Sequence, residues 1–110
     1  MANHGRRYIS GVKSASGDNT LIAAPGAGEI LVIYSLKLQN ETDVATTMIV
    51  KEGTVERLRH FSPATSGGDD AFWSMEDDPM ELGAGTALTL NLSAANATGY
   101  VINYETRLAT

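Results

Sequence analysis

The stretch Gly85-Thr86-Ala87-Leu88-Thr89-Leu90-Asn91-Leu92-Ser93 sets leucine at every second residue and fills the gaps with Thr, Asn and Ser. A period of two belongs to a strand with one face buried and the other solvated. The small-residue run Ala94-Ala95-Asn96-Ala97-Thr98-Gly99 then turns the chain into Tyr100-Val101-Ile102-Asn103-Tyr104, a second strand. An antiparallel pair of this kind predicts an all-β sandwich, and none of its residues is chemically reactive. Function has to be sought in what the architecture can join.

Other segments repeat the strand signal between turns. Residues 7–14, 20–23, 29–39, 44–52, 54–61 and 71–75 read as further strands, so the expectation is an eight-stranded antiparallel jelly-roll-like β-sandwich. Pro25-Gly26-Ala27-Gly28 is a strong turn, because Pro presets φ and Gly accepts positive φ. In the long strand 29–39, Ile30, Val32, Tyr34, Leu36 and Leu38 are expected to share one face. Leu31 and Ile33 make the other face apolar before it turns polar at Ser35, Lys37 and Gln39. A two-sheet sandwich covers only one face of each sheet, so Leu31 and Ile33 are expected at a subunit interface and predict a trimer. In Phe72-Trp73 adjacent side chains point to opposite faces, so one large aromatic is expected outside the core, as an interface anchor.

Length and charge bound the rest. The 110 residues make one sandwich domain, 9–110, preceded by a short arm, 1–8. There is no cysteine, which excludes disulfides and thiolate metal sites and fits assembly inside a cell. The first residues lack the apolar run of a signal peptide, and the apolar stretch 30–34 is too short to span a membrane. Residues 1–13 carry Arg6, Arg7 and Lys13 without an acid, whereas the remainder holds five bases and all thirteen acids. An acidic body argues against nucleic acid as a partner, since phosphate binding needs clustered bases. The basic arm, with Arg6, Arg7 and Tyr8, is expected to be mobile and to reach an acidic surface of another protein.

No residue set carries catalysis, and no cofactor or metal site is expected. Asp69, Asp70, Glu76, Asp77, Asp78 and Glu81 crowd one segment, but the calcium-loop spacing is absent. His4 and His60 are the only histidines, too few for a zinc site without carboxylates. No serine stands in a G-x-S-x-G context, and Gly26-Ala27-Gly28 and Gly83-Ala84-Gly85 precede strands rather than phosphate-binding helices. The triplets beginning at Asn40, Asn91 and Asn96 match the glycosylation pattern, yet without a secretory signal they read as products of turn-rich sequence.

From about residue 14 to 104 the chain resembles small jelly-roll structural proteins of tailed bacteriophages. The resemblance rests on Ser16-Gly17-Asp18-Asn19-Thr20, on Gly28-Glu29-Ile30-Leu31-Val32, and on the leucine strand through Ala95 followed by Gly99-Tyr100-Val101. It departs at Glu56-Arg57-Leu58-Arg59-His60 and in the acidic 69–81 segment. It implies a non-enzymatic capsid decoration, or cement, protein. Such a protein would be a homotrimer on the outer head surface of a virion, assembled in the host cytoplasm, with the major capsid protein as its partner. A short chain with no shaft repeats favours that over a fibre. The alternative is a carbohydrate- or receptor-binding module of a phage fibre, with Trp73 beside Asp69 and Asp70 as its sugar platform.

Overall fold

The computed structural model describes residues 5–64 and 69–109. Among the described residues nine strands follow one another: β1 Arg7–Lys13, β2 Gly17–Ile22, β3 Glu29–Asn40, β4 Thr46–Glu52, β5 Val55–Ser62, β6 Asp69–Ser74, β7 Met80–Glu81, β8 Leu88–Leu92 and β9 Thr98–Leu108. No helix occurs among the described residues. One sheet has the order β1-β9-β3-β6, with β7 also on β3, and the other has β2-β8-β4-β5. Every pairing is antiparallel. The chain passes from one sheet to the other at every connection except the β4–β5 hairpin and the β6–β7 step along β3, which is the strand order of a jelly roll.

The strand beyond the eight expected is the dyad β7, too short to show any period in sequence. It continues β6 along the same flank of β3: β6 pairs with Ser35 to Asn40 and β7 with Val32 and Ile33. Together they fill one strand position, interrupted at 75–79. The chain stays anchored across the gap, because Met75 N–H donates to Tyr34 O at 2.7 Å and Leu82 N–H donates to Leu31 O at 3.0 Å.

The core lies between the sheets and contains Leu36, Leu38, Met48, Val50, Leu88, Leu90, Leu92 and Ile102. Leu31 and Ile33 belong to it as well, at 1% and 0% exposure. Here the face assignment from sequence is overturned. The register of β3 on β9 slips between Ile33 and Ser35, so the bulge adds one residue and exchanges the faces. Leu31 and Ile33 therefore point inward with Leu36 and Leu38, while Val32 and Tyr34 turn outward.

The β2–β3 connection shows why its glycines are needed. Glu29 N–H donates to Gly26 O at 3.0 Å, closing a turn whose third residue, Gly28, has φ +77°. That is the left-handed position of a type II turn, which costs an ordinary side chain about 1–2 kcal/mol.

One end of the sandwich carries a buried polar cluster. Asn40 Nδ2 donates to Ser62 Oγ at 2.8 Å and to Val44 O at 2.9 Å. Its Oδ1 accepts from Thr42 N–H at 2.9 Å and from Asn96 Nδ2 at 3.0 Å. Asn40, Ser62, Asn96 and Thr98 are all buried, and the cluster ties the β3–β4 and β8–β9 connections to the end of β5. Buried amides of this kind are retained because each donor and acceptor finds a partner.

Candidate assembly surface

The pairing rows fix what each sheet presents to solvent. Across the β1-β9-β3-β6 sheet, Ser10 lies opposite Val101, Val101 opposite Lys37, and Lys37 opposite Phe72. The next outward rows run Tyr8–Asn103–Ser35–Ser74 and Val12–Gly99–Gln39–Asp70. Four of the large exposed apolar residues, Tyr8, Val12, Phe72 and Val101, thus stand on one outer face. Lys37 sits among them, in ion-pair reach of Asp70 at 3.6 Å. Val12, Lys37, Gln39, Glu41 and Val101 surround a shallow hollow over Gly99. A Cβ at Gly99 would meet the Glu41 carboxylate, which would have to swing aside.

The outer face of the other sheet differs in chemistry. Lys51 Nζ lies 3.1 Å from Asp18 Oδ1, which also accepts from Asn91 Nδ2 at 2.7 Å. Arg59 makes paired hydrogen bonds to Glu56 at 2.9 and 2.8 Å. Those contacts hold the Asp18 and Glu56 carboxyls below their ordinary range, Asp18 chiefly through Asn91 and Glu56 chiefly through Arg59. On this face the charges are largely paired with one another and Phe61 is the exposed large apolar residue, whereas the first face gathers four.

Above the hydrophobic rows, the first sheet carries a charged patch built around Tyr34. The Tyr34 hydroxyl donates to the Glu105 carboxylate, and Arg6 stacks over the ring at 3.6 Å. Arg6 Nη1 also lies 2.6 Å from Glu76 Oε1, and Arg107 Nη2 3.0 Å from Glu81 Oε2. The hydrogen bond to Glu105, followed by burial, holds the Tyr34 hydroxyl above its ordinary range. This closes the gap where β6 gives way to β7.

The sequence candidates fall into three groups. Leu31 and Ile33 are inside the chain's own core, which removes them from any interface and removes the argument they offered for a trimer. Trp73 turns inward against that core, so it cannot form a sugar platform with Asp69 and Asp70. Phe72 turns outward at 63% exposure, the arrangement that strand alternation demands of neighbouring aromatics. Arg7 and Tyr8 belong to β1 rather than to an arm, and Arg6 is engaged by Glu76 and Tyr34. The expected mobility of residues 1–4 and the placement of His4 lie outside the described residues. Of the three Asn-x-Ser/Thr triplets, Asn40 and Asn96 are buried and hydrogen-bonded to each other. What sequence reasoning missed was the row pattern: Val12 and Val101 join Tyr8 and Phe72 only once the register across four strands is known.

His60 pairs with an acid across the sandwich edge: its Nε2 lies 2.8 Å from Asp69 Oδ2, linking β5 of one sheet to β6 of the other. That bond and a second from Ser62 hold the Asp69 carboxyl below its ordinary 3.8. A depressed folded-state value adds stability above the unfolded value, and the gain is lost as pH falls through the folded one. The urea midpoint should therefore drop as pH is lowered from about 5 toward 3, and Asp69→Asn should flatten part of that fall. Equal acid sensitivity in wild type and variant would show that the pair carries no linkage.

Among the described residues, no group of three or more His, Cys, Asp or Glu is placed to hold a metal ion. No family model matches the chain, and no curated protein matches it either. Among solved structures, the fold is shared with a protein of Bacillus endospore appendages, described as a novel family of disulfide-linked pili. That match covers 100% of this chain and 96% of that one, with a TM-score of 0.55 and 14% identity. A virus-like particle of the extra small virus of the giant freshwater prawn Macrobrachium rosenbergii matches over 96% of this chain and 82% of its own. Its TM-score is 0.46, with 12% identity.

Proposed function

We propose that this chain is a non-enzymatic structural subunit: a capsid decoration protein that binds the outer surface of a phage head, as a trimer, and cements it. The observation that carries the reading is the outer face of the β1-β9-β3-β6 sheet, where Tyr8, Val12, Phe72 and Val101 stand exposed around Lys37. Four large apolar side chains exposed on one sheet face, on a domain whose core is already filled, offer a docking surface. The jelly-roll fold shared with a pilus protein supports a place in an extracellular or virion assembly. With no cysteine in the chain, its own contacts must hold without disulfides. The adhesion alternative loses its aromatic platform, since Trp73 packs inward.

Val101 lies at the centre of the face, so Val101→Glu tests the reading without touching the core. Purified protein mixed with phage heads that lack it should co-sediment with them, and the variant should keep its unfolding transition while losing at least tenfold in occupancy. Equal occupancy of the two proteins would remove this face from the contact. Binding to a glycan array with no binding to heads would overturn the decoration reading in favour of adhesion.

A further inference from the structure

The two sheets have four edges, with β7 sharing that of β6, and they are not equally protected. Natural sheets blunt an edge with charges, proline or bulges. In the β2-β8-β4-β5 sheet, β5 carries Glu56, Arg57, Arg59 and His60, and β2 is interrupted by a register shift between Thr20 and Ile22. In the other sheet the edge charges stand only at strand ends. β1 pairs with β9 without a shift from Arg7 to Lys13, and its middle, Tyr8 to Val12, has no charge and no proline. β6 is likewise uncharged from Ala71 to Ser74.

The two open edges are complementary. β1 holds Arg7 and Lys13 and no acid; β6 holds Asp69 and Asp70 and no base. Lys13 makes no ion pair among the described residues. Because all pairings in β1-β9-β3-β6 are antiparallel, β1 and β6 run in opposite directions. A second copy rotated about an axis along the strands therefore presents its β6 antiparallel to β1 of the first. The shared rows place Ser10 against Phe72 of the next copy, and Lys13 against Asp69 of the next copy. Phe72 then falls diagonally between Tyr8 and Val12, close enough for an aromatic side chain to touch both. Four strands at about 4.8 Å give a lateral step of roughly 19 Å, comparable with the 23 and 20 Å short dimensions of the domain.

We propose that β1 of one copy pairs with β6 of the next, extending the β1-β9-β3-β6 sheet head to tail and leaving its centre free for the particle. The inference rests on the reading of the chain as an assembly subunit and names the surface by which copies join. Such a heterologous contact closes into a ring when the rotation permits and otherwise continues as a filament.

The cysteine-free chain allows a direct test. Ser10→Cys and Phe72→Cys both change exposed residues at opposite edges of one sheet. Directly opposed antiparallel residues have Cα atoms about 4.5–5.5 Å apart, within the roughly 4.4–6.8 Å that a disulfide spans. The two variants, mixed and mildly oxidised free and on heads, should give a dimer containing one of each, and each alone should stay uncrosslinked. The double variant should give a ladder. Absence of the mixed dimer in both settings, or equal crosslinking of each variant with itself, would overturn the pairing. A charge swap supplies the second reading: Lys13→Asp and Asp69→Lys should each weaken self-association at least tenfold in sedimentation velocity, and mixing them should restore it. A chain that binds heads without the mixed crosslink defeats the edge pairing alone. A chain that crosslinks without binding heads defeats the particle reading alone.

Discussion

Replacing Ile33 by Asp is expected to abolish folding at neutral pH. Ile33 has no exposed surface and sits between the sheets, next to the bulge that returns Leu36 and Leu38 to the core. Removing a buried isoleucine from a core costs about 2–5 kcal/mol before any charge is considered. A carboxylate with no partner adds several kcal/mol more, against a total of about 5–15 kcal/mol for a domain. Far-UV circular dichroism should show loss of the β signal and of a cooperative urea transition. A variant that kept its strands and merely dissociated would return Ile33 to a subunit interface and contradict the inward placement.

Asn40→Ala should be the most damaging polar substitution, at about 3–5 kcal/mol, from orphaned groups that cost about 1–3 kcal/mol each. The change strips Ser62 Oγ and Asn96 Nδ2 of a partner at a site only 1% exposed. It also frees the Thr42 N–H that Asn40 Oδ1 accepts. Asn91→Ala is the control: Asn91 heads a triplet of the same type but bonds Asp18 on the exposed outer face, and its loss should cost no more than about 1 kcal/mol. Urea midpoints at pH 7 compare the two. Equal losses would mean that the buried hydrogen bonds of Asn40 contribute no more than the exposed one of Asn91.

The contrast between these sites explains what the sequence made legible. Leu88, Leu90 and Leu92 are inward because nothing interrupts their alternation, and all three are fully buried. The same rule applied to β3 assigned Leu31 and Ile33 to the wrong face, since a one-residue bulge exchanges faces without leaving a mark in the pattern. Asn40 and Asn96 looked like turn polarity; their burial depends on connections more than fifty residues apart meeting at one end of the sandwich. β2 begins at Gly17, earlier than its turn-like start implied, because Asp18 is held from outside by Asn91 and Lys51. The outer face is half visible in the sequence: alternation requires one of Phe72 and Trp73 to face out without saying which, and Tyr8 stands in the basic arm. The row structure that Phe72 and Tyr8 share with Val12 and Val101 needed the sheet order.

The central claim is that this domain stabilises an assembly by docking through an apolar sheet face. A ligand that binds only the assembled state raises that state's stability by mass action. The most direct measurement is the temperature at which heads release their DNA, compared between heads carrying the protein, heads stripped of it and heads rebuilt with Val101→Glu. Decorated heads should release DNA at the highest temperature, with stripped heads and heads rebuilt with the variant lower and alike. Identical release temperatures for decorated and stripped heads would contradict cementing.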